Sequence, residues 1–144
     1  MDEKEYKEVY TSLASIPCLY EKSILALKIT CAQSSRKNIA EREVVTCSSI
    51  NYQIRCKAWL RLIREKSQFA LQLSTIAGPL PHAKELKVQV GGIRGLNLVL
   101  GQMPNEMDLG VSDALDAAVE KFTDLAAVPF EQVVQAVAQF KGRN

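Results

Sequence analysis

The chain has 144 residues, 47% hydrophobic and 24% charged, with a formal net charge of +2. That size fits one domain and is long enough to bury a core without disulfides. The net charge is too small to name a partner, but its distribution is uneven. From Tyr20 to Lys66 ten Lys and Arg stand against four Asp and Glu, whereas residues 102–144 are mainly acidic. The two halves can attract each other within one fold, or the first can present a basic face to an anionic partner.

The opening MDEKEYKEVYTS is charged and has no apolar signal core. No apolar run approaches the roughly 18 residues of a membrane span. These features predict a cytoplasmic protein with no membrane partner. Thiols are held reduced there, so Cys18, Cys31, Cys47 and Cys56 are not expected to form two structural disulfides.

Asp2 to Ser15 reads as a first helix, with acids in its first turn and a stripe of Tyr6, Val9, Tyr10 and Leu13. Cys18 to about Gln33 reads as a second, with Leu19 or Tyr20, Ile24, Leu27 and Cys31 on one face. Arg36 to Thr46 reads as a short helix that frays near Cys47, although Val44-Val45-Thr46 is β-branched and argues against it. Ser48 or Ser49 caps a long central helix from Ile50 to about Thr75. Tyr52, Cys56, Trp59 or Leu60, Ile63 and Ala70 fall on its buried face.

Gly78-Pro79-Leu80-Pro81 is the clearest break in the chain. Residues 83–100 fit either state: Leu86-Lys87-Val88-Gln89-Val90 alternates like a strand, while Leu86, Val90, Ile93 and Leu100 also keep helical spacing. A helix is the better reading because no second strand of like strength is available to pair with it. Gly91, Gly92 and Gly95 would then let another helix come close. Ser112 caps a helix from Asp113 to about Leu125, and Pro129 opens the last one, to about Phe140. The expected fold is all-α: a single-domain bundle of about six helices over residues 1–144, with the long helix near residues 50–75 at its centre.

The cysteines follow the spacing Cys18-x12-Cys31-x15-Cys47-x8-Cys56. No Cys-x-x-Cys is present, so zinc ribbons and thioredoxin-like sites find no support. On a continuous helix Cys18 and Cys31 would lie about 20 Å apart. A four-cysteine centre therefore requires Cys18 to sit in a loop that bends back, and a site of Cys31, Cys47 and Cys56 is easier to build. The break at Ser48-Ser49 lets Cys47 and Cys56 face one point. Thiolates suit an iron–sulfur cluster or another soft metal. Arg36, Lys37, Arg42, Arg55 and Lys57 would favour the ionised form. Against this stands the plainer reading of the cysteines as small apolar core residues.

Lys57, Arg61 and Arg64 line one face of the central helix, a surface for an anion, a nucleic acid or a protein partner, a second copy of the chain included. No helix-turn-helix or aromatic platform supports nucleic-acid binding specifically. A single histidine, His82, rules out a multi-histidine site. No acid–base pair is evident, so no catalytic residue is assigned. The run CLYEKSILALKITCAQSSRKNIAEREVVTC, with INYQIRCKAWLRLIREKSQFAL after it, resembles small bacterial helical proteins with regularly placed cysteines. The resemblance implies neither an activity nor a site. The expected function is cofactor binding through cysteine thiolates, in electron transfer, sensing or assembly. The alternative is a cofactor-free helical module that uses its basic face.

Overall fold

The computed structural model describes residues 2–13, 16–75, 77–102 and 108–141, without the side chains of residues 9–13. Helix α1 spans Glu3–Leu13, and the Asp2 carboxylate accepts from the Glu5 N–H at 2.7 Å. Of its expected stripe, Val9, Tyr10 and Leu13 have side chains outside the described residues. Tyr6 carries the Arg42 guanidinium over its ring at 4.1 Å.

The all-α expectation is corrected by residues 34–47. Strands β1 (Ser34–Ile39) and β2 (Arg42–Cys47) pair antiparallel, with Ile39 opposite Arg42 and Ser34 opposite Cys47. The fold is mixed α/β, though 56% helical. The β-branched Val44-Val45-Thr46 decides the segment: all three are buried, where branched side chains pack well on a pleated surface. The turn is only Ala40-Glu41. Ala40 adopts φ +57°, a conformation normally supplied by glycine or asparagine, so the usual hairpin signal is missing.

The helix expected over residues 18–33 is also shorter. Helix α2 covers only Glu21–Leu25, and Leu27 at φ +59° turns the chain back. Residues 16–18 run beside β2 instead. Pro17 bridges to Thr46, Cys18 N–H donates to the Val45 carbonyl at 3.1 Å, and Cys47 N–H donates to the Ile16 carbonyl at 2.7 Å. The Glu21 carboxylate accepts from the Val45 N–H at 2.8 Å.

Helix α3 runs Ile50–Lys66, with Ser49 as its cap. It stops well short of Thr75, and Ala70 is exposed rather than buried. Cys56, Trp59 and Ile63 form its buried face as the spacing requires. Trp59 is fully buried and stacks on Phe130 with ring centroids 5.5 Å apart.

Residues 82–99 are helical. Helix α4 (His82–Leu86) passes through a π-helical turn (Lys87–Gly91) into α5 (Gly92–Val99). Leu86 and the whole run from Val88 to Ile93 are buried, so the strand-like alternation comes from a rod enclosed on most sides. Helices α6 (Val111–Phe122) and α7 (Phe130–Gln139), with a 3-10 turn (Leu125–Ala127) between them, complete the described elements. Gly110, not Ser112, stands at the α6 N-cap. One main apolar cluster joins Tyr20, Trp59, Ile63, Leu96, Leu115, Val133 and Val137.

The π turn places Gln89 at a junction. Its amide N–H groups donate to the Leu19 carbonyl at 3.0 Å and to Glu85 at 2.9 Å. Its carbonyl accepts from the Ser23 hydroxyl. Gln89 is 1% exposed, so Gln89→Ala strands two buried polar groups and opens a cavity. The expected cost is about 3 kcal/mol, read by chemical denaturation. An unchanged denaturation midpoint would show that the Leu19 segment is held by other contacts.

Candidate metal centre

All four cysteines line one small pocket of about 20 Å³, together with Pro17, Tyr20, Gln53 and Val111 among others. Each thiol arrives from a different local structure. Cys18 lies in the segment that runs beside β2. Cys31 precedes β1, and its carbonyl accepts from the Ser34 N–H at 3.1 Å and the Ser34 hydroxyl at 2.7 Å. Cys47 ends β2, and its thiol donates to the Ser49 carbonyl at 3.2 Å. Cys56 lies on the buried face of α3. The Ser48-Ser49 break between strand and helix brings the last two to the same pocket, as their spacing requires.

Cys18 is the position that changes most. A continuous helix would have carried it away from Cys31. With α2 reduced to Glu21–Leu25, Cys18 lies in the loop before the helix, and both residues line the pocket. All four thiols are free; Cys56 is buried and the others are half-buried. Among the described residues no three His, Cys, Asp or Glu side chains are grouped to hold a metal ion. The thiols border a shared space.

Electrostatics here differ from the expectation of a basic surround. Burial pushes the Cys56 thiol up to about 12, with smaller contributions in the same direction from Cys31, Cys18 and Cys47; Arg55 lowers it only slightly. Burial likewise pushes Cys18 up to about 11, partly offset by a backbone hydrogen bond from Tyr20. The bases are engaged elsewhere. Arg36 pairs with Glu43 at 3.2 Å and donates to the Ile24 carbonyl at 3.1 Å. Arg42 pairs with Glu3, and Arg55 with Asp116.

Two polar side chains at the pocket carried no signal in the sequence. Gln53 donates to the Pro17 carbonyl at 2.7 Å and so ties α3 to the Cys18 segment. The Tyr20 hydroxyl is buried with no hydrogen-bond partner. Sequence spacing marked Tyr20 only as an apolar stripe position.

The expected anion-binding face is less uniform than its spacing suggests. Lys57 and Arg61 are exposed, with Arg61 paired to Glu65 at 3.1 Å. Arg64 is half-buried and donates to the Gly78 carbonyl at 2.8 Å. His82 is exposed at the start of α4. Among the described residues no helix is long and apolar enough to cross a membrane. Comparison with protein-family models, with curated proteins and with solved structures finds no match.

Proposed function

We propose that the chain binds an iron–sulfur cluster or another thiolate-held metal through Cys18, Cys31, Cys47 and Cys56. Its role would be electron transfer, sensing or assembly rather than substrate turnover. One observation carries this reading: four unpaired cysteines, spread over separate local structures, border one pocket. Half-exposure of Cys18, Cys31 and Cys47 supports a centre near the surface, where electrons or metal can be exchanged. Unpaired thiols also suit a reducing compartment such as the cytoplasm.

Anaerobic purification tests the reading. The expected protein is coloured, with iron and sulfide in fixed proportion to the chain, and Cys56→Ser loses both. A colourless, metal-free protein that takes up no thiophilic metal, with Cys→Ser variants that fold normally, overturns it. That outcome would restore the cofactor-free module, whose basic face is testable by salt-dependent binding to protein or nucleic acid through Lys57, Arg61 and Arg64.

A further inference from the structure

Helix α3 carries an apolar row on its outer surface. Ile50, Ile54, Ala58 and Leu62 recur every four residues, and rows of that spacing form the ridges by which helices pack on one another. Ile50 is 51% exposed and Ile54 60% exposed, so the start of the row is uncovered. Ile54, Ala58 and Leu62 line an open groove of about 580 Å³ with Val119 of α6 and Leu125 of the 3-10 turn. The groove is preformed. The Tyr52 hydroxyl donates to Asp116 at 2.6 Å, and Arg55 pairs with the same carboxylate, which ties α3 to α6.

The two rims carry opposite charge. Arg55 marks the flank of α3 that meets α6. At about 100° per residue, Lys57 and Arg61 fall on the other side of Ile54, and both are exposed. Across the groove Glu120 is exposed on the outer side of α6. Asp124, also exposed, is held at the end of that rim by accepting from the Ala126 N–H at 3.0 Å. The groove is thus basic along α3 and acidic along α6, with apolar side chains between. An apolar centre inside a polar rim is the anatomy of a protein–protein interface.

We propose that this groove is a dimer interface, with a second copy of the chain as its occupant. The charge selects both the occupant and the arrangement. A two-fold axis that lies in the interface and runs along the groove sets α3 of one copy over α6 of the other. Lys57 and Arg61 then meet the partner's Glu120 and Asp124, and symmetry makes the same contact in reverse. A two-fold axis across the groove would set basic α3 against basic α3, which like charge opposes. Arg61 also pairs with Glu65 in its own helix at 3.1 Å, so Lys57 is the sharper probe. The interface uses none of the cysteines and stands apart from the metal reading.

Sedimentation velocity of the full chain over a range of concentrations is the test. Wild type is expected to dimerise. Ile54→Asp is expected to be monomeric and to keep the wild-type circular dichroism, because the side chain changed is an exposed one. Lys57→Glu and Glu120→Lys are each expected to weaken the dimer by about tenfold or more. An equimolar mixture of those two variants is expected to restore it as a heterodimer, since each new charge then meets its opposite. That pair probes the interface without touching an apolar side chain. A wild type that stays monomeric at every concentration overturns the proposal. So does a dimer that Ile54→Asp leaves intact, which puts the interface elsewhere, and so does a mixture that fails to recover.

Discussion

Gly95→Ala is expected to destabilise the protein by about 3 kcal/mol, and Gly91→Ala by a similar amount. A Cβ on Gly95 would lie 2.7 Å from the Val133 Cα and 3.1 Å from the Val133 carbonyl oxygen. On Gly91 it would lie 2.7 Å from the Val137 Cα and 3.0 Å from the Ala136 carbonyl oxygen. Both obstacles are backbone of α7, so relief requires two helices to move apart. Their separation would loosen a close-packed interface that includes the fully buried Val133 and Val137.

Gly92→Ala provides the internal control. Its Cβ would meet only the Ile63 side chain, at 3.3 Å, which can adjust. Alanine also gains roughly 1 kcal/mol of helix propensity over glycine, so a near-neutral result is expected there. Urea unfolding of the three variants decides the matter. Equal effects at all three positions would mean that helix propensity, not the approach of α7, governs this rod.

Metal uptake is expected to strengthen steeply with pH. Cys18 and Cys56 stand at about 11 and about 12 in the metal-free protein, so at neutral pH both are protonated. A metal or cluster that takes them as thiolates must release two protons. Release of two protons raises the affinity by about a hundredfold per pH unit. Cobalt(II) titrations between pH 6 and pH 8 would show it, and an affinity flat across that range would remove both thiols from the ligand set.

The metal-free fold answers pH with the opposite sign. Each of these thiols has its folded value raised above the ordinary 9.0. Their contribution to stability is intact below pH 9 and is lost as pH climbs towards 11 and 12, because the unfolded chain ionises first. Alkaline denaturation of the metal-free protein is therefore expected to begin above pH 9. Bound metal should delay it.

Helix signals in the sequence held for the middle of α3 and for α7, but not over residues 18–33, where a face also repeats. Cys56, Trp59 and Ile63 announced α3, and Val133 and Val137 announced α7. The glycines at 91 and 95 also fitted a close helix approach. The hairpin was hidden because Ala40 occupies the positive-φ position where glycine or asparagine would have marked a turn. The early end of α2 was hidden because Leu27, an apolar residue on the expected stripe, is the one that reverses the chain. That reversal determines whether three or four cysteines can border one pocket, and local spacing alone could not supply it. The expected role of the nearby bases failed for another reason. Arg36, Arg42 and Arg55 found carboxylates at Glu43, Glu3 and Asp116, pairings that are distant in sequence for two of the three.

The π turn at Lys87–Gly91 has a mechanical meaning. An α-helix advances about 100° of rotation per residue, so a one-residue insertion resets the angular phase of everything beyond it. Here the rod shifts phase between Gln89, which holds the Cys18 side of the molecule, and Gly95, which seats α7. It works like two keyed shafts joined by an offset coupling, each cut for a different mate. Deleting one residue in the turn would preserve a helix yet rotate one key away from its slot.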